Sequence, residues 1–116
     1  MNVVVLVGNL ASDVDVRELD GGRTLARFRL AVDRAGDDSG PGFFHVKAWD
    51  RQAELCGRYL AKGRRVAVEG RLRTHAWEED GKRRTSVDVV AQRVEFLDAR
   101  REDAGGEVVP FAAATA

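Results

Sequence analysis

The stretch FFHVKAWDRQAELCGRYLAKGRRVAVEGRL, residues 43–72, predicts a strand, a helix and a second strand in succession. In residues 43–49, apolar side chains alternate with aromatic and basic ones, and successive side chains of a strand point to opposite faces. Asp50 is placed to cap the N-terminus of the helix, and Gly63 is expected to end it. Three apolar residues at helical spacing form the inner face of this helix: Ala53, Cys56 and Leu60. Residues 66–72 then alternate again as a strand.

Three further strands are predicted outside this stretch. Residues 3–7 form a β-branched run, residues 24–32 alternate cleanly, and residues 85–97 follow a hairpin signal at Asp80-Gly81. The resulting order is three strands, one helix and two strands, which is the order of an OB-fold. We therefore predict an all-β, five-stranded OB-fold barrel with one helix between strands 3 and 4.

Length and composition suit one domain. The chain has 116 residues, of which 44% are hydrophobic, so a core can form without disulfides. We place the OB domain in residues 1–97 and a short, flexible C-terminal tail in residues 98–116. The 19 basic and 19 acidic residues balance, but residues 58–84 contain nine Lys or Arg against four Asp or Glu. Because the total charge is balanced, net charge argues neither for nor against a nucleic-acid partner; the local excess of basic residues in the middle of the chain is more informative.

Several classes of function lose support at this point. Cys56 is the only cysteine, which excludes an intrachain disulfide, and two isolated histidines do not suggest a zinc site. No two carboxylates are placed beside a nucleophile or a metal ligand, so we predict no enzyme, no cofactor and no metal. No segment approaches the roughly 20 apolar residues of a membrane span, and the N-terminus lacks the features of a signal peptide. We expect a cytoplasmic protein without a membrane partner.

One face of the predicted strand at 43–49 combines aromatic and basic side chains where a solvated strand would carry Ser, Thr or Glu. That face is formed by Phe43, His45, Lys47 and Trp49. Stacked bases need flat aromatic surfaces and phosphates need cations, so the face indicates a single-stranded nucleic acid. Two alternatives stay open. Phe44 replaces Phe43 if the register shifts by one residue, and Trp49 could close the barrel against the helix.

Basic residues on the predicted strands and on the hairpin are candidates for phosphate contact: Arg27, Arg29, Lys47, Arg71, Arg73, Lys82, Arg83 and Arg84. Arg71 and Arg73 are favoured because they share a strand face next to Trp77. Charged runs are commonly only solvated surface, and that alternative applies to part of this set. Trp77 precedes the charged hairpin, where it either stacks a base or packs on its own ribbon.

Four short motifs follow one another along the chain: VLVGNL (residues 5–10), RFRLA (27–31), WDRQAELCGRYL (49–60) and VAVEGRLRT (66–74). Trp77 follows the last of them. Together they resemble the bacterial single-stranded DNA-binding proteins of the tetrameric OB-fold type. The resemblance covers residues 1–97. It implies non-catalytic, largely sequence-independent binding of single-stranded DNA in replication, recombination or repair. By position it implies base stacking on Phe43, Trp49 and Trp77, a homotetramer, and a cytoplasmic, nucleoid-associated protein.

Two departures limit what the resemblance implies. Many relatives carry a further tryptophan after the second strand, where this chain has Gly36. Typical relatives also end in an acidic tip followed by Pro-Phe, which recruits repair and replication enzymes. Here VVPF (residues 108–111) is followed by five more residues. The chain thus resembles a short paralogue without the usual tip, and recruitment through its tail is doubtful.

A rival hypothesis keeps the fold and changes the partner. The chain could be an OB-fold protein-interaction subunit of a primosomal or other replication complex, with a protein surface in place of the DNA groove. A nuclease is a weaker rival, because the chain lacks clustered carboxylates or histidine ligands.

Overall fold

The structure is a computed structural model that describes residues 1–34, 36 and 40–97. Its strands are β1 (Val4–Leu10), β2 (Asp15–Glu18), β3 (Thr24–Val32), β4 (Gly42–Trp49), β5 (Arg65–Glu79) and β6 (Lys82–Phe96). Its α-helix is α1 (Asp50–Tyr59), and a single 3-10 turn (Asp20–Gly22) precedes β3. The predicted tail at 98–116 lies outside the described residues.

The strands form one sheet in the order β1-β5-β6-β4-β3-β2, which closes where the end of β1 also pairs with β3. The pairing of β4 with β6 is parallel, and all other pairings are antiparallel. The closed sheet, with one helix between β4 and β5 in the chain, confirms the predicted OB-fold barrel. The structure adds β2, a short strand on the edge of β3, within a segment whose polar sequence gave no strand signal.

The core lies inside the barrel and is capped by α1. Ala26, Phe28 and Leu30 of β3 are buried, as the alternation predicted, and so are Val46 and Ala48 of β4. The helix buries its three predicted positions against this core, namely Ala53, Cys56 and the following Leu60. The period of two in the strands and of 3.6 in the helix therefore place the same faces inward as the sequence indicated.

Asp50 does not act as the predicted helix cap, and this expectation was wrong. The residue has a φ of 54° and is itself the first residue of α1, after Trp49 at the cap position, where no side chain makes a capping hydrogen bond. In this left-handed conformation the Asp50 carboxylate reaches back to the start of β3 instead. There it accepts hydrogen bonds from the Arg23 side chain and the backbone N–H of Thr24.

A long hairpin formed by β5 and β6 extends beyond the barrel. Its turn is the predicted Asp80-Gly81 pair, with φ of 55° and 78°, which are the two positive values that a type I′ turn requires. Every residue of β5 from Arg71 to Glu79 is exposed. Because the two strands pair without interruption along this length, the hairpin is a regular two-stranded ribbon that projects into solvent.

The base of the hairpin contains a β-bulge. Glu69 pairs with Arg93 and Gly70 with Ala91, which leaves Gln92 without a strand partner. The side-chain amide of Gln52 on α1 donates a hydrogen bond to the backbone carbonyl of Gln92. The helix is therefore attached to the strand at the point where the barrel bends.

We predict that Gly70→Ala destabilises the protein. A Cβ atom at this position would lie 2.0 Å from the carbonyl oxygen of Val90, which is backbone and has little room to move. We expect the free energy of unfolding to fall by about 1–3 kcal/mol, measured by urea denaturation. The matched control is Gly42→Ala in β4, where the nearest atom to the new methyl would be 3.5 Å away. Equal stabilities of the two variants would contradict the conclusion that the Val90 backbone leaves no room for a side chain at position 70.

Candidate nucleic-acid interface

The outer face of β3 and β4 carries the residues that the sequence placed there. The register pairs Arg27 with Lys47 and Arg29 with His45. Cross-strand partners lie on the same face of a sheet, so these four side chains are neighbours. Phe43 and Trp49 share that face at opposite ends of β4, paired with Ala31 and Leu25. Phe43, rather than Phe44, therefore lies on the face of Lys47, and the expected register is confirmed.

The same surface continues onto the hairpin. Lys47 Nζ lies 3.1 Å from Asp88 Oδ2, which joins β4 to β6. Asp88 pairs in turn with Arg73, and further along the hairpin Trp77 pairs with Arg84. By the alternation of the strands, Arg71 shares this face, whereas Arg83 points to the opposite one. Lys82 and Arg84 thus lie on the Trp77 face, but their neighbour Arg83 does not.

A groove of about 510 Å³ runs between β2, β3, β4 and β6. It is lined by Ser12, Asp15, Arg27, Phe28, Arg29, His45, Val46, Lys47, Ser86 and Asp88. Three of the predicted phosphate-contact residues line it together with two carboxylates. The groove therefore carries charges of both signs, with one more cation than carboxylates.

Each predicted stacking aromatic has a cation or an imidazole beside its ring. Arg29 Cζ lies 4.9 Å from the ring centroid of Phe43, which is 54% exposed. The half-buried Trp49 has Arg23 Cζ at 4.7 Å from its ring centroid. Trp77 is 39% exposed and stacks on the His75 ring at 5.4 Å, with 26° between the planes. All three rings lie on the continuous surface, each with part of its area open to solvent.

Three of the predicted phosphate-contact residues are ion-paired with carboxylates of this protein. Arg27 Nη2 donates to Asp15 Oδ2 at 2.8 Å, Lys47 pairs with Asp88, and Arg84 Nε lies 3.5 Å from Glu79. The hydrogen bond from Arg27, with a further contribution from Arg17, lowers the pKa of Asp15, which keeps this carboxylate charged. Within the described residues, the others have no ion pair: Arg29, Arg71, Arg73, Lys82 and Arg83.

Sequence reasoning did not assign Asp15, Asp88 or Arg23 to this surface. Asp15 lies on β2, which has no buried residue and therefore no strand signal in its sequence. Asp88 and Arg23 enter through contacts between strands that are distant in sequence. Gly36, which stands where the resemblance implied a tryptophan, is exposed and has a φ of 72°.

Features of other functional classes are not found in the described part of the chain. No group of three or more His, Cys, Asp or Glu there could hold a metal ion. Burial raises the pKa of the Cys56 thiol to about 12, so that this group is protonated and unsuited to nucleophilic attack. None of the described helices has the length and apolarity needed to cross a membrane.

Residues 1–97 match the model of the Single-strand binding protein family. The chain belongs to the single-strand binding protein family. Members of this family are non-catalytic DNA-binding proteins, which is the class that the sequence predicted.

The relatives carry the name single-stranded DNA-binding protein. The one from Treponema pallidum is 41% identical over 84% of this chain and 58% of its own length. That from Bacillus cereus is 42% identical over 92% of this chain and 65% of its own length. The Clostridium perfringens protein is 39% identical over 91% of this chain and 72% of its own. This chain thus spans about two thirds of the length of these family members.

Proposed function

We propose that this protein binds single-stranded DNA without catalysis and largely without sequence preference, over the groove and the adjoining face of the hairpin. The observation that carries the proposal is the continuous surface on which Phe43, Trp49 and Trp77 lie among cations. Every base has a flat π-face, so stacking on such rings does not depend on sequence. Membership of the single-strand binding family supports this function.

Phosphates would be contacted in two ways. Arg29, Arg71 and Arg73 have no ion pair within the described residues, so they can meet a phosphate directly. Arg27 and Lys47 must first exchange a carboxylate of the protein for a phosphate. Each exchange returns an anion to solvent, so the net gain per contact is smaller for these two side chains than for the unpaired arginines.

The cellular role proposed here is the coating of single strands exposed at the nucleoid during replication, recombination or repair. Support comes from membership of the single-strand binding protein family. The rival role, a subunit that binds a protein partner through the same surface, is separated from DNA binding by the first experiment below.

We also propose that the protein is a homotetramer. Val3, immediately before β1, is 62% exposed, and Val5 and Val7 on β1 are exposed by 62% and 41%. β1 pairs with β5 along one edge, but along the other it meets β3 only at Asn9 and Leu10. The rest of that edge is an unpaired strand edge with apolar side chains beside it, which favours association with another copy.

Trp77→Ala is expected to weaken binding of oligo(dT) by about 1–3 kcal/mol, because it removes one stacking platform. Affinity would be measured by fluorescence titration of a labelled oligonucleotide at several salt concentrations. For the wild type, the logarithm of the affinity should fall against the logarithm of salt with a slope of about −0.7 per phosphate contacted.

The control for this test is Tyr59→Ala. Tyr59 is as exposed as Trp77, at 38%, but it lies on α1 and packs edge-on against Phe96. Thermal unfolding would verify that both variants are folded. No binding by the wild type at micromolar concentration would refute the proposed function. Unchanged DNA binding by Trp77→Ala together with loss of a protein partner would favour the rival role.

Asp88→Asn is expected to tighten binding, because it releases Lys47 from its 3.1 Å ion pair and removes an anion from the groove. The negative slope of log affinity against log salt should become steeper by about 0.7 if Lys47 gains one phosphate. Glu95→Gln is the matched control, since Glu95 is also ion-paired on β6, with Arg93, but does not line the groove. Weaker binding by Asp88→Asn would show that this carboxylate positions Lys47 rather than competing for it.

Val5→Lys is expected to reduce the mass in solution from that of a tetramer to that of a smaller species, because it places a charge on the apolar edge of β1. Light scattering at micromolar concentration measures the change. Leu97→Lys is the control, since Leu97 is also exposed, at 45%, but follows β6. A monomeric wild-type protein would contradict the proposed assembly and leave DNA binding as a separate question.

A further inference from the structure

Arg23 is the residue that covers the ring of Trp49. It lies immediately before β3, and its Cζ atom is 4.7 Å from the centroid of the Trp49 ring. The side chain is nevertheless 54% exposed. The guanidinium thus has the indole on one side and solvent over much of the rest of its surface. A ligand that approaches this part of Trp49 meets Arg23 first.

Asp50 holds Arg23 in this place. Arg23 Nε donates to both carboxylate oxygens of Asp50 at 3.0 Å, and Nη2 lies 2.9 Å from Oδ2. Contact through two nitrogen atoms fixes the plane of the guanidinium as well as its position. The Asp50 carboxylate is in turn oriented by the backbone N–H of Thr24, at 3.3 Å.

The backbone of Asp50 adopts an uncommon conformation in this arrangement. A φ of 54° is uncommon for a residue other than glycine, and it diverts the carboxylate from the helix that it begins. The hydrogen bond from Arg23, followed by that from Thr24, lowers the pKa of Asp50 below its usual value. The carboxylate is therefore charged at neutral pH, and the contact with Arg23 is lost only when acid protonates it.

We propose that Arg23, positioned by Asp50, is a base-stacking platform of its own, which takes a base on the side that faces away from Trp49. This inference rests on the proposed binding of single-stranded DNA and adds a site to it. Planar guanidinium groups stack on both aromatic side chains and nucleobases. Trp49 then contributes by supporting Arg23 from below, so that the two side chains form one layered platform.

A base suits Arg23 better than a phosphate does. Two of its nitrogen atoms are already engaged by the Asp50 carboxylate, which offsets the charge of Arg23 and occupies one of the two edges through which a guanidinium binds a phosphate. A base that stacks on the flat face of the guanidinium needs neither an uncompensated charge nor a free edge. Arg29 provides the contrast: it lies 4.9 Å from the Phe43 ring, but within the described residues it has no ion pair, so its edge is available to a phosphate.

The test compares two ligands of equal length, oligo(dT) and an abasic oligomer with the same sugar-phosphate backbone, at low salt where both bind. Arg23→Ala should bind oligo(dT) about five- to tenfold more weakly than the wild type does and the abasic oligomer about equally well. Arg23→Lys keeps the charge and loses the plane, so it should show the same loss on oligo(dT). The matched control is Arg93→Ala, which removes an arginine that is also ion-paired, with Glu95 at 2.6 Å, but lies on no aromatic ring.

Asp50→Asn separates positioning from simple charge. Asparagine also tolerates the left-handed backbone, and circular dichroism would verify the fold. Removal of an anion alone would tighten binding to both oligomers, whereas release of Arg23 should weaken binding to oligo(dT) about two- to fivefold. Tighter or unchanged binding of oligo(dT) by this variant would overturn the role of Asp50.

The remaining outcomes are distinct. If the wild type binds and Arg23→Ala loses affinity equally for both oligomers, Arg23 contacts a phosphate and the stacking role is overturned. Full affinity of Arg23→Lys for oligo(dT) would lead to the same conclusion. Identical behaviour of Arg23→Ala and Arg93→Ala would overturn it as well. If the wild type bound neither oligomer, the proposed function would fail and this inference with it.

Discussion

The barrel depends on two points at which backbones approach too closely to admit a side chain. A Cβ atom on Gly8 would lie 2.1 Å from the carbonyl oxygen of Ala31, and one on Gly70 would lie 2.0 Å from that of Val90. The first contact joins β1 to β3, and the second bends β5 against β6. Because the sheet closes in this way, β4 comes to lie beside β6, and the outer faces of the barrel and the hairpin become one surface.

Ion pairs within the protein give this surface its shape before any ligand arrives. The pairs on it in the described residues include Arg23–Asp50, Arg27–Asp15, Lys47–Asp88 and Arg84–Glu79. Most of these side chains are substantially exposed, and exposed pairs contribute little to folding stability. Their larger effect is on recognition, since they hold long side chains in place and reduce the local positive potential. Under the proposed function, a phosphate that binds to this surface replaces a carboxylate of the protein, which moderates the affinity.

Local sequence patterns were enough to predict which faces are buried, but not which charged groups meet. Phe28 and Val46 follow the alternation of their strands, and burial on one side makes that alternation visible. The strand Asp15–Glu18 was missed because all four of its residues are exposed, so that no apolar period marks it. Asp50 was misassigned because capping is inferred from sequence neighbours, whereas its partner Arg23 is 27 positions away. Such contacts follow from strand order and register, which the pattern of one strand does not contain.

The pairing of β1 with β5 also determines the order in which the chain can fold. Val4 lies opposite Gly70, so the first strand lacks most of its partners until the fifth strand exists. Contacts so distant in sequence form only after the chain has lost the conformational entropy of a long loop. They therefore slow folding. During synthesis on the ribosome, β1 is made well before β5, and until β5 follows, it can form only the pairings of Asn9 and Leu10 with β3. In the nascent protein, its apolar edge is therefore open to association with other unfolded chains.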